Sequence, residues 1–270
     1  MHCCRKDTIH ERLVNHDGRH EFANELATMC ENKATALREL GDCEGALAIY
    51  RDVIEIREGL VNREGRSELA GDLAQSYMNE AIAVSVMGDA WSAVELFDRA
   101  LEILERVVKR EGQCDLENQL AQTYTNKATA LKTLKVYQGA IAALDSALEI
   151  RERLVNQEGR NELAGDLAQT YLSKALVLST LGDKRVTLSL LDLVIVIRER
   201  LVNQDGRREV LADLAKAMFF RGAVLMQLGE ADRGRCETRA AMATLRAEIE
   251  RTGRDDLKKT LTWMEGQVEN

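Results

Sequence analysis

Proline occurs nowhere in this 270-residue chain, and aromatic residues make up only 4% of it. The first absence removes the residue that breaks helices most sharply, and the second removes much of what fills a sheet. Ala, Leu, Glu and Arg are abundant instead, and all four favour helix. No apolar run approaches the ~20 residues of a membrane span. The opening stretch "MHCCRKDTIHERLVN" has no apolar core of leader length, so the sequence predicts a cytoplasmic chain that does not engage a membrane. Six cysteines (Cys3, Cys4, Cys30, Cys43, Cys114, Cys236) share no common spacing and form no CxxC. That argues against a disulfide framework and for free, mostly buried thiols. Net charge is −8, with acids and bases interleaved as in "IRERL", so nucleic acid is not an expected partner.

Catalytic signatures are missing as well. There is no Ser-His-Asp set, no Cys-His pair outside the N-terminus, no GxxxxGKS/T loop and no GxGxxG. All four histidines (His2, His10, His16, His20) fall in the first twenty residues, near Cys3 and Cys4. Their spacing fits no closed zinc site, which needs four placed ligands, so a frayed terminus is expected and no metal. These absences point to a non-enzymatic protein without a cofactor.

What the chain does have is repetition. "RERLVNQEGRNELAGDLAQTY" at 151–171 returns as "RERLVNQDGRREVLADLAKAM" at 198–218. Gly18, Gly65, Gly112, Gly159 and Gly206 each follow the last by 47 positions, as do Leu26, Leu73, Leu120, Leu167 and Leu214. A fixed period in this range marks a stacked array. Within 66–112, Leu69, Leu73, Tyr77, Ala81 and Val84 share one helical face, with Ser67 placed as its N-cap. After Gly88-Asp89, Ala93, Leu96, Phe97, Ala100, Ile103 and Leu104 form the stripe of a second helix, closed by a left-handed Gly112. Each unit is thus predicted as two helices of ~20 residues that bury their stripes only by stacking.

The expected organisation is one continuous solenoid domain. Residues 1–20 are a partial first unit; 21–67, 68–114, 115–161 and 162–207 are complete units. Residues 208–251 form a degenerate fifth, and 252–270 a capping helix that covers it with Leu257, Leu261 and Trp263.

The residues at fixed positions resemble the tetratricopeptide repeat family. Its pattern is met by Tyr77, Ala81, Val84, Ala93, Phe97 and Ala100, by Tyr124, Ala128, Leu131, Ala140, Leu144 and Ala147, and by Cys30, Ala34, Leu37, Ala46 and Tyr50. Thr187 and Gly234 replace the second-helix Ala in the last two units. The period is 47 where the family's usual unit is 34, the closing Pro is missing, and the Leu before the small first-helix residue is replaced by Lys33, Glu80, Lys127, Lys174 or Arg221. The resemblance implies an all-α, right-handed superhelical solenoid of stacked antiparallel helix pairs. It also implies a scaffold whose first helices line a concave groove for a peptide or protein segment.

On that first-helix face, Gln75 and Asn79 are i,i+4 neighbours, repeated as Gln122 and Asn126, and varied as Thr28 with Asn32 and Gln169 with Ser173. Side-chain amides donate and accept, so they either form a ladder for a ligand's main chain or are surface residues copied by duplication. Further along, Leu172, Leu176, Phe219 and Phe220 make the face apolar, as an anchor pocket for a partner or as internal packing. Leu193 and Val196 stand where Arg99 and Glu102 stand two units earlier. They centre a homodimer contact or a second protein interface, or the fifth unit covers them. Glu102, Glu105 and Glu149 read as solvated i,i+4 partners of Arg and Lys. The preferred function is therefore a groove that binds a segment, and the alternative is a self-assembling scaffold.

Overall fold

The 47-residue rhythm is a rhythm of left-handed turns. In the computed structural model, which describes residues 22–268, Gly41, Gly88, Gly182 and Gly229 have φ between 82° and 93°. Gly65, Gly112, Gly159, Gly206 and Gly253 have φ between 68° and 75°. The place in the first series that falls at 135 holds Lys135 at φ 61°, the single non-glycine in this region among the described residues. Behind the first-series glycines, Asp42, Asp89 and Asp183 cap the next helix by accepting from the N–H of Gly45, Ser92 and Val186.

The helices so delimited are α1 (Ala23–Glu39), α2 (Cys43–Glu58), α3 (Ala70–Val86), α4 (Ala90–Glu111), α5 (Glu117–Thr133) and α6 (Tyr137–Glu152). They continue as α7 (Ala164–Leu181), α8 (Lys184–Asn203), α9 (Leu211–Gln227), α10 (Ala231–Thr252) and α11 (Asp255–Val268). No strand occurs among the described residues. Odd-numbered helices up to α9 are first helices and even-numbered ones second helices. The chain divides into two compact units, one running to Ala143 and the other from Leu144.

Ser67 is not an N-cap. It opens a 3₁₀ turn, Ser67–Leu69, whose counterparts are Cys114–Leu116, Asn161–Leu163 and Arg208–Val210. Backbone bonds such as Ala70 N–H to the Ser67 carbonyl take up donors that a cap would satisfy.

Small residues set the pair crossings. Ala34 faces solvent nowhere, nor do Ala46, Ala81 or Ala93. In the last pair both partners are glycine, and a Cβ on Gly234 would lie 2.4 Å from the Gly222 carbonyl oxygen. Thr238 stands there where Tyr50, Phe97, Leu144 and Leu191 stand in the earlier pairs, so α9 and α10 close on each other without a large side chain between them. Thr187 is fully buried and donates its hydroxyl to the Asp183 carbonyl at 2.7 Å.

α11 packs on α9 and α10. Leu257 and Met264 are its fully buried anchors, and Leu261 is half-buried. Trp263 stays about half exposed and meets only the edge of the packing, its ring centroid 5.6 Å from that of Phe219. The expectation of mostly buried thiols is corrected too. Cys114 and Cys236 are exposed, and Cys30 and Cys43 are half-buried. The histidines and the Cys3–Cys4 pair lie outside the described residues.

Candidate functional site: the first-helix faces

The amides of the first unit are joined in a network. Gln75 Nε2 donates to Asn79 Oδ1 at 3.0 Å, and Gln122 repeats that bond to Asn126 at 3.0 Å. Asn79 Nδ2 donates to Glu31 on α1 at 3.1 Å, and Gln119 on α5 donates to Gln75 Oε1 at 3.3 Å. All four ladder amides are half-buried, whereas Asn32 is exposed. These bonds use one donor and one acceptor site on each of Gln75 and Asn79, and a primary amide has two of each.

The network ends on a residue that sequence reasoning passed over. Arg57 projects from α2 and is 1% exposed. Its guanidinium donates to Asn24 (3.2 Å), Thr28 (3.0 Å), Glu31 (2.7 Å), the Asp72 carbonyl (3.0 Å) and Ser76 (2.5 Å). Arg151 and Arg198 occupy the same position two and three periods later and are 1% and 4% exposed. Burial pushes both guanidinium groups below their ordinary value, with Asp166 and Asp213 opposing that shift. A signal was present: the position holds Leu104 and Leu245 in the other two units, and a place shared by Arg and Leu is a buried one.

The charged residues that depart from the family pattern are explained by a second ladder. Four of the five pair with a residue 29 positions earlier on the preceding second helix: Glu80 with Arg51 at 3.0 Å, Lys127 with Asp98, Lys174 with Asp145, and Arg221 with Asp192 at 2.7 Å. The polarity reverses between the first rung and the rest, so both partners change together. A third ladder runs beside it. Tyr77 donates to Glu58, Tyr124 to Glu105, and Tyr171 to Glu152 at 2.6 Å. Arg99 lies over the Tyr77 ring at 5.8 Å. Glu105 also pairs with Lys109 at 3.4 Å, the solvated i,i+4 contact expected of it.

In the second unit, Gln169 is exposed and accepts from Arg198 at 3.0 Å, while the Ser173 hydroxyl donates to the Gln169 carbonyl. Phe219 is buried under α11, so it belongs to the internal packing. Leu172 and Phe220 are half-buried against the same core, and Leu176 is half-buried. On α8, Leu193 and Val196 are 44% and 64% exposed. The fifth pair does not cover them.

Stacked helix pairs with small residues at each crossing and a left-handed turn at each end define a helical-repeat protein. The tetratricopeptide repeat model matches residues 26–65 and 120–160. The chain thus carries the tetratricopeptide repeat pattern in these two segments. The crystal structure of BtubC (BKLC) from P. vanneervenii is similar over 88% of this chain and 86% of that one, with TM-score 0.71 and 22% identity. A putative kinesin light chain of nearly identical TPR-like repeats from Podosopora anserina matches over 82% and 96%, with TM-score 0.56 and 18% identity. MamA from Desulfovibrio magneticus RS-1 matches over 82% and 96%, with TM-score 0.53 and 14% identity. No curated protein sequence matches the chain. The fold implies a protein-interaction scaffold. No helix among the described residues is long and apolar enough to cross a membrane.

Proposed function

We propose that this protein is a non-enzymatic scaffold whose first-helix faces hold an extended peptide or protein segment. The observation that carries the reading is the amide network of α3 and α5. Gln75 and Asn79 are held in place by Gln119 and Glu31, and each keeps a donor and an acceptor site for a ligand's main chain. Pre-positioning lowers the entropy lost on binding. Random dodecapeptides displayed on phage and selected on the full-length chain test it. A selected peptide should bind the Asn79→Ala, Asn126→Ala double variant about tenfold more weakly, since each lost hydrogen bond costs ~0.5–1.5 kcal/mol. Asn79 also holds Glu31, so its replacement lowers the melting temperature slightly, whereas Asn126→Ala does not disturb Glu31. Equal affinity for variant and wild type would remove the ladder.

The second reading is self-assembly through α8. Val186, Leu193 and Val196 are exposed along one stripe of that helix. Light scattering at tens of micromolar on wild type and on Leu193→Arg with Val196→Glu distinguishes the two. A dimer that the variant abolishes supports assembly, and a monomeric wild type rejects it.

A further inference from the structure

We propose that a second copy of this chain docks antiparallel on α8, with Arg185 of each copy paired to Glu199 of the other across a two-fold axis beside Leu193. The inference rests on the reading of α8 as a self-assembly face and names the geometry and the charges that select a second copy as its occupant.

Glu199 is an acid that has lost its partner. The same repeat position holds Glu58, Glu105 and Glu152, and each accepts a phenol from the tyrosine 19 residues on. Nineteen residues beyond Glu199 stands Met218, which has no hydroxyl to donate. Arg185 is likewise new to its place, where the earlier units hold Glu44, Trp91 and Gln138. Both side chains are exposed, and neither makes an ion pair among the described residues. Neither has a charged residue three or four positions away, where a helix supplies its own partners. Between them lie the exposed Val186, Leu193 and Val196. One unit earlier, Ser146 and Glu149 stand in place of Leu193 and Val196. α8 therefore presents an apolar stripe with a lone base at one end and a lone acid at the other.

The spacing decides what fits this stripe. Residues 185 and 199 are 14 apart, which is about 21 Å and just under four turns, so both side chains leave α8 on the same flank. Two identical helices paired antiparallel about an axis level with residue 192 bring position 185 of one beside position 199 of the other. Like flanks meet in such a pair, so two Arg–Glu rungs form at once. The same axis sets Leu193 beside the second copy's Leu193, and Val196 between the second copy's Val186 and Ser189. The acid nearest the axis, Asp192, is already paired with Arg221 at 2.7 Å, and Arg200 is engaged by Asn161 at 2.8 Å. A parallel pair sets arginine against arginine and glutamate against glutamate. The stripe is self-complementary in the antiparallel orientation, as a two-fold contact between copies demands.

Sedimentation velocity on the full-length chain at tens of micromolar reads the test. Wild type should sediment as a dimer. Arg185→Glu and Glu199→Arg should each dissociate at least tenfold more readily, because both rungs turn repulsive. The double variant, Arg185→Glu with Glu199→Arg, exchanges the charges and should return to within about twofold of wild type. An equimolar mixture of the two single variants should also dimerise, since each rung then joins a glutamate to an arginine. A dimer that either single variant leaves unweakened, or a double variant no tighter than the singles, overturns the inference while self-assembly stands. A monomeric wild type overturns both and leaves the stripe to a foreign segment. Both substituted side chains are exposed, so the helical spectrum should persist in every variant. Should a single variant lose it, the wild-type dimer decides by its response to salt. Raising the salt from about 50 to about 500 mM should weaken a dimer held by these rungs, and an unmoved or tighter dimer overturns the inference.

Discussion

Three arginines at one repeat position carry different burdens. Arg57 is neutralised by Glu31 and held by four further acceptors, so Arg57→Leu leaves a buried carboxylate without its cation. That variant should lose about 3–5 kcal/mol in urea unfolding. Arg198→Leu gives up two hydrogen bonds to neutral groups and removes a buried charge, so its stability should be unchanged or higher. An equal loss in both variants would show that the guanidinium is a structural pillar wherever it occurs. The tyrosines are a second case of burial acting on one residue. Desolvation first, then the Glu58 carboxylate, raises Tyr77 from 10.0 to about 12, with Arg99 opposing. The unfolded chain then loses its phenol proton near pH 10 while the folded chain keeps it, so this contribution to stability is lost as pH rises from about 10 to about 12. Tyr77→Phe should flatten the stability–pH curve in that window, and an unchanged slope would contradict the assignment.

Between elements, the turn after each first helix shows how one backbone demand is met by different residues. Four turns place glycine in the left-handed region, and the fifth forces Lys135 to φ 61°. A side chain there costs roughly 1–2 kcal/mol in steric strain, part of which glycine's extra freedom in the unfolded chain cancels. Lys135→Gly should therefore stabilise the chain by about 0.5–1 kcal/mol, read from its denaturation midpoint. A lower midpoint would mean that the lysine side chain makes a compensating contact. The ladders of Arg51–Glu80 type join second helices to the first helices that follow, but with one partner largely exposed each rung stabilises by under about 1 kcal/mol. The reversed first rung also bears on register, because a slip there would set Arg51 opposite Lys127 or Asp98 opposite Glu80, like charges in each case.

For the chain as a whole, an end of a stack has an apolar face with no neighbour. α11 supplies that neighbour for α9 and α10 by burying Leu257 and Met264 completely. Deleting residues 255–270 should cost about 3–6 kcal/mol, at ~1.5–3 kcal/mol for each large apolar side chain buried. It should also bare Phe219 to solvent. A truncated chain with an unchanged melting temperature would show that the helix rests on the stack without supporting it.

Helix pairs, their period and their turns were legible in the sequence because they depend on local chemistry. Periodic apolar positions, small crossing residues and the Gly-Asp turns act within a few residues of themselves. The candidate site was half legible. The i,i+4 amides could be placed on one face, but not their bonds to Glu31 and Gln119, which lie 48 and 44 residues away. Identical segments make the limit plain. "RERLVNQ" at 151–157 ends in a π turn over Arg153–Gln157, whereas the same seven residues at 198–204 lie in α8 as far as Asn203. The arginine that opens each copy meets Thr170 in one and, 19 residues on in the other, Ala217, which has no hydroxyl to offer. A sequence copied along a chain keeps its helical periodicity, but the partners it packs against are supplied by other helices, and only the tertiary structure decides how each copy ends and which buried charges those partners satisfy.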